Sequence, residues 1–184
     1  RLTTSPGSSY RFHLTYTPQG NPYVLRLVYP MASDSPGTFD APAGAPHAVE
    51  NAQRRLQLTG RILQSLTAEL LYEKGEPRRT FSLLTNPDGS PVVDMPRSPL
   101  TVAQLRSMDG LDLWYHFYDL FGSLPNRDKT IDVAVMADTH FDAATGTPLA
   151  HTALGGGSLA LFGGGTLYSY AETVGEIEPH FLDT

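Results

Sequence analysis

Hydrophobic positions along this chain recur with two different periods. Val49, Ala52, Leu56, Thr59, Leu63, Leu66 and Leu70 step by alternating threes and fours, one stripe of an α-helix. Leu58, Ile62 and Leu71 broaden the stripe, and Gln53, Arg54, Arg55, Gln57, Arg61 and Gln64 fill the remaining positions. The spacing predicts a long helix over 47–74, closed by Gly75 and Pro77, with its stripe packed on a sheet.

Elsewhere the period is two, or the apolar runs are short. Residues 11–16 alternate as a half-buried strand does, and 23–29 read as a second strand. The turn formers of 18–22 between them predict a hairpin with a five-residue loop. Pro30, Pro36, Pro42 and Pro46 mark 30–46 as a connecting loop. A third strand is expected over 79–85, followed by a turn over 86–91 with Asp88 and Gly89 at its tip. Residues 101–108 predict a short helix, with Leu100, Leu105 and Met108 on one face. The aromatic-rich stretch 111–120 predicts another helix ending near Gly122. The apolar run 131–137 predicts a central strand. A turn over 142–148 follows, then short strands over 149–154, 159–162 and 166–170, and a terminal helix over 171–182. This order predicts an α/β (α+β) fold, a mixed β-sheet with a long backing helix. It is expected to form a single domain over 10–184 behind a flexible leader of residues 1–9.

Composition narrows the function. The 184 residues suffice for one domain core, and 17 glycines with 15 prolines argue against a helical bundle. Nineteen acidic against thirteen basic residues give a net charge of −6, which lacks the basic face a nucleic-acid partner needs. The absence of cysteine excludes disulfides, thiolate metal sites and a cysteine nucleophile. No apolar run approaches the roughly 20 residues of a membrane helix, and no signal peptide is visible. The chain opens at Arg1 rather than Met, which predicts a processed or trimmed N-terminus. The compartment stays open, with the cytoplasm favoured.

Three constellations carry chemistry on paper. Asp138, His140 and Asp142, with His151 further on, could form an N/O site for zinc or another divalent ion where the central strand runs out. The competing assignment is that the aspartates cap turns and the histidines pack or face solvent. Gly155-Gly156-Gly157-Ser158 and Gly163-Gly164-Gly165-Thr166 lack the lysine of a phosphate loop. They read as bulges, tight turns or close backbone approaches, against which an extended substrate could lie as an added strand. Trp114, Phe117, Tyr118 and Phe121 share a helical face, as core or as a sugar-stacking platform. Neither Gly-x-Ser-x-Gly nor His-Glu-x-x-His occurs, and no His-x-x-x-His pair exists.

Several segments together resemble a known family. They are the run from Gln53-Arg54-Arg55-Leu56-Gln57 to Ala68-Glu69, then Arg78-Arg79-Thr80-Phe81, and Asp138-Thr139-His140-Phe141-Asp142. Ala150-His151-Thr152-Ala153-Leu154-Gly155-Gly156-Gly157, Leu159-Ala160-Leu161-Phe162-Gly163 and Phe181-Leu182-Asp183-Thr184 complete the set. From about residue 48 onward the chain is similar to a fungal family of zinc metallopeptidases, whose members often carry a jacalin-like lectin domain further along. The resemblance implies a zincin-like N-terminal half, with zinc as cofactor. In that family the His-Glu-x-x-His helix lies downstream of the segment matching Phe181-Leu182-Asp183-Thr184, so no catalytic residue carries over. It implies that the chain, as a fragment or a complete product, is inactive alone, with the C-terminal remainder of the polypeptide as a partner. Zincins hold an extended peptide along a sheet edge. The region 159–170 is the expected edge, with Leu159, Leu161, Gly163, Gly164, Gly165 and Tyr168 as substrate-binding residues. Two other functions stay open: a carbohydrate-binding module with a glycan ligand, and a small metal-dependent hydrolase using the Asp/His cluster.

Overall fold

A computed structural model describes residues 17–18, 23–41, 43–137, 141–142, 147–148, 153–163, 167 and 172. In chain order the strands are β1 (Thr17–Pro18), β2 (Val24–Val28), β3 (Arg79–Thr80), β4 (Ser82–Leu83) and β5 (Val93–Asp94), then β6 (Thr130–Met136), β7 (Phe141–Asp142), β8 (Thr147–Pro148), β9 (Ala153–Gly156) and β10 (Leu159–Gly163). Helix α1 (Val49–Glu73) follows β2, and α2 (Val102–Ser107) and α3 (Gly110–Gly122) lie between β5 and β6.

The main sheet runs β4-β2-β6-β10-β9, and β5 adds to β2 beyond β4. All its pairs are parallel except β10 with β9. β4 and β5 share one edge of β2, interrupted by a turn in which Gly89 donates to the Asn86 carbonyl. The expected hairpin between 11–16 and 23–29 is not formed at β2. Both sides of β2 are occupied by parallel strands, and β1 pairs with β3 instead. The near-continuous apolar run of β2 suits a strand covered on both faces. Residues 11–16 themselves lie outside the described residues.

Helices cover both faces of the sheet. Val28, Ala134, Met136, Leu159 and Leu161 meet Leu105, Leu113, Phe117 and Phe121 of α2 and α3. Tyr29, Met31, Val135 and Ala137 meet Ala52 and Leu56 of α1, with Phe39 and Leu167. α3 starts where the Asp109 carboxylate accepts from the Leu111 and Asp112 amides. α1 stops in a Schellman motif, with Glu76 N–H donating to the Leu71 carbonyl and Gly75 N–H to that of Tyr72. Both ends agree with the sequence. The buried face of α1 does not: Leu63, Leu66 and Leu70 are exposed, while Arg55, Gly60, Gln64 and Ala68 are buried.

Candidate functional site

The sheet has one antiparallel margin, built by the β9–β10 hairpin. Its two-residue turn, Gly157-Ser158, has Gly157 at φ 55, the left-handed start that suits the twist of a hairpin. Asp132 N–H donates to the Ser158 carbonyl at 2.7 Å, so Ser158 and Ala160 address β6 while Leu159 and Leu161 address β9. Leu159 pairs with Gly156 and Leu161 with Leu154. Leu154 and Gly156 therefore turn their backbone groups to β10, and Ala153 and Gly155 turn theirs to the outer side. Among the described residues no strand lies beyond that side.

This geometry corrects the expected edge. β10, with Leu159, Leu161 and Gly163, is paired on both sides and buried, one strand in from the margin. A strand bonded on both sides has no ladder groups left for a substrate; among the described residues the open margin on this side is β9. Gly164, Gly165 and Tyr168 lie outside the described residues. So do Asp138, His140 and His151, while Asp142 is described by its backbone alone, on β7 opposite Thr147 of β8.

Beneath the hairpin lies a charge cluster that pattern reasoning missed. Arg26 and Asp132 occupy paired positions of β2 and β6, both fully buried. Arg26 Nε donates to Asp132 Oδ1 at 2.7 Å, and its Nη1 donates to the Pro125 carbonyl at 2.9 Å. Arg127 Nη1 donates to Asp132 Oδ2 at 2.9 Å and to Ser158 Oγ at 3.1 Å. Arg26 Nη2 and Arg127 Nη2 have no hydrogen-bond partner among the described residues. Asp94 Oδ2 stands 3.8 Å from Arg26 Nε. Burial pushes the Asp94 carboxyl above the usual carboxylate range, against the lowering charge of Arg26 and with a further rise from Asp132. The sequence signal was there: one arginine inside Val-Leu-Arg-Leu-Val and one aspartate inside Ile-Asp-Val-Ala-Val-Met. Only the parallel register shows that they meet.

The aromatic face of α3 divides. Phe117 and Phe121 are core. Trp114 stacks on Tyr118 with centroids 4.9 Å apart, and the Arg127 guanidinium sits 4.5 Å from the centre of the Tyr118 ring. The Trp114 indole N–H donates to the Leu159 carbonyl at 3.4 Å. These rings serve one another and the hairpin.

Two more polar groupings were not foreseen. His116 Nε2 and Ser98 Oγ are 2.8 Å apart, and burial lowers the His116 pKa while the Asp119 charge opposes it. Ser98 is buried and its Oγ also accepts from the Leu100 amide, so the pair holds α3 to the preceding loop and presents no nucleophile. Glu172 accepts from Asn51 Nδ2 and Arg54 Nε and pairs with Arg55. Burial raises its carboxyl pKa, but the hydrogen bonds from Asn51 and Arg54 and the two guanidinium charges outweigh it, and the net shift is downward.

Among the described residues, no three His, Cys, Asp or Glu side chains come together as metal ligands. His47 and His116 are each engaged in a local contact, His47 Nδ1 with the Ala45 carbonyl. The described residues thus do not make a zinc site. Among them, no helix is long and apolar enough to cross a membrane.

A mostly parallel sheet with one antiparallel margin and a long helix after its first main strand is the N-terminal half of a zincin-like fold. The sequence places it more closely: residues 1–184 match the family Metallopep, described as "Putative peptidase family", and the chain belongs to that family. It is 28% identical over 201 residues to the "Putative zinc metalloproteinase C607.06c" of Schizosaccharomyces pombe, a match covering 99% of this chain and 33% of the relative. It is 28% identical over 205 residues to the "Putative zinc metalloproteinase YIL108W" of Saccharomyces cerevisiae, covering 91% of this chain and 29% of that protein. The chain thus spans about a third of the length of the fungal relatives it matches. Among solved structures it is similar to wild-type OgpA from Akkermansia muciniphila, with TM-score 0.56 and 18% identity, over 82% of this chain and 41% of that one. It is also similar to catalytically inactive OgpA in complex with an O-glycopeptide substrate, glycodrosocin, with TM-score 0.55, over 90% and 44%. At 18% identity these likenesses establish the fold.

Proposed function

We propose that this chain is the substrate-side part of a zinc metallopeptidase and holds an extended peptide as an added strand on the outer side of β9. The carrying observation is the open antiparallel margin, where Gly155 directs its amide and carbonyl outward. Bond cleavage requires a zinc-binding motif of the His-Glu-x-x-His type, which this sequence does not contain, so the chain alone is inactive. The names of the two fungal relatives support zinc as the metal of the whole enzyme. Glycopeptides are the first substrate class to try, since inactive OgpA holds glycodrosocin.

The test is titration of the 184-residue chain with glycodrosocin and with the same peptide lacking its sugar. Gly155→Pro removes the outward amide and is tolerated at an open edge. It should weaken binding by about two- to ten-fold, since one charge-free hydrogen bond is lost. Absence of binding by the unsubstituted chain, or equal binding by Gly155→Pro, overturns the edge assignment. Chelator-sensitive casein hydrolysis by the chain alone overturns the division of labour.

A further inference from the structure

β9 is a poor strand by itself. It reads Ala-Leu-Gly-Gly, and its two glycines offer no side chain to fix register. Glycine-rich strands slip readily, and a slip of one residue would turn the outward backbone groups of Gly155 inward. Yet the hairpin is bound tightly at one point. Ser158 accepts from the Asp132 amide through its carbonyl and from Arg127 Nη1 through its hydroxyl. Arg127 is fixed in turn by Asp132 Oδ2 and by the Tyr118 ring. Trp114, stacked on Tyr118, reaches the Leu159 carbonyl from the same helix, and its Cζ2 would stand 3.9 Å from a Cβ at Gly156. Trp114 of α3 and Arg127, five residues beyond the end of that helix, thus hold the hairpin at Leu159 and Ser158, the two residues that follow Gly157.

We propose that Arg127 is a positioning residue that locks the register of β9, through Ser158 and Asp132, and so presents the outward edge at Gly155 to an extended substrate. The inference rests on the reading of β9 as the substrate strand. Arg127 touches no substrate; it acts through the turn. Arg26 completes the lock from the far side by holding the other oxygen of Asp132. Buried ion clusters are best attested where they fix register, and a glycine-rich margin is where register needs fixing.

The test compares Arg127→Met, Arg127→Lys and Ser158→Ala with the unsubstituted chain. Hydrogen exchange is followed at the Leu154 and Gly156 amides and at those of β2 and β6, and affinity is measured with glycodrosocin and its sugar-free form. Arg127→Met should speed exchange at Leu154 and Gly156 by about ten-fold or more, as a local opening, and leave β2 and β6 unchanged. Peptide affinity should fall with it, and Arg127→Lys should recover part of both, because charge returns without the fork. Ser158→Ala removes only the hydroxyl contact and carries the same comparison if Arg127→Met does not fold. Unchanged exchange at β9 overturns the lock, and so does equal acceleration in β2, β6 and β9, which marks global destabilisation. Faster exchange at β9 alone with unchanged affinity upholds the lock and overturns β9 as the substrate strand. If the unsubstituted chain binds neither peptide, the substrate reading fails while the exchange comparison still decides the lock.

Discussion

Arg26 and Asp132 face each other across β2 and β6 in direct register, both without solvent exposure, with Nε and Oδ1 2.7 Å apart. Desolvating two such charges costs several kcal/mol per ion, and the pair is sustained by its further contacts, Arg26 with Pro125 and Asp94 and Asp132 with Arg127.

Breaking and replacing that pair should have opposite consequences. Asp132→Ala takes the hydrogen-bonded carboxylate from both Arg26 and Arg127, leaves the buried Arg26 guanidinium only the more distant Asp94, and should cost about 3–5 kcal/mol. Arg26→Met combined with Asp132→Leu removes both charges and should be neutral or stabilising by about 1–4 kcal/mol. Arg127 loses its carboxylate partner in the double change but keeps Ser158 and Tyr118, and its side chain is 18% exposed. Urea midpoints of the three proteins check the contrast; equal losses for the single and double changes would contradict it.

Stability should fall on mild acidification through His116. Burial holds its pKa below the ordinary value, with the Asp119 charge in partial opposition. Above about pH 6.5 the ring is neutral in both folded and unfolded chains. As pH falls, the unfolded chain takes up its proton first, so the unfolded state binds more protons and the folded state loses ground. The loss runs from about pH 6.5 down to the lowered folded value and then ceases. His116→Gln should flatten this part of the profile in denaturant midpoints taken between about pH 7.5 and about pH 5.5.

The leucine stripe of α1 should matter least where its periodicity is clearest. Leu56 is 2% exposed and belongs to the core, whereas Leu66 is 40% and Leu70 59% exposed. Leu56→Ala should cost about 2–5 kcal/mol. Leu66→Lys and Leu70→Lys should each stay within about 0.5 kcal/mol of the unsubstituted chain. Thermal midpoints measure the difference, and a large loss at Leu70 would mean that this face is covered in solution.

That contrast also shows what the sequence made legible. Periodicity located α1, its stop at Gly75, helix α3 and the central strand β6, since each is a local pattern with a local terminator. It misassigned the second half of the α1 face, because Gly60, Gln64 and Ala68 let the helix approach β2 and β4 and carry no hydrophobic signal. An added Cβ at Gly60 would stand 3.0 Å from Leu27 Cδ1. The edge strand was placed one strand inward, because an apolar run does not reveal which sides of its ladder are paired. The Arg26–Asp132–Arg127–Ser158 cluster joins residues up to 132 positions apart along a register that no local pattern encodes.

The loop from β2 to α1 supplies a final test, in which one glycine is compared with another. Gly37 has φ +81, and an added Cβ would lie 2.5 Å from Val49 Cγ2 and 2.9 Å from Met31 Sδ. Its carbonyl accepts from the Tyr29 hydroxyl and its amide donates to Ser35 Oγ, so the backbone cannot move aside without breaking both. Gly44 has φ +85, and an added Cβ there meets open space. Gly44→Ala should therefore cost only the left-handed backbone penalty, about 1–2 kcal/mol. Gly37→Ala carries the same penalty and adds about 1–3 kcal/mol for overpacking against Val49 and Met31. Pairing Gly37→Ala with Val49→Ala should return part of the second contribution and none of the first. Equal urea midpoints for Gly37→Ala and Gly44→Ala would show that the contact with Val49 relaxes at no cost.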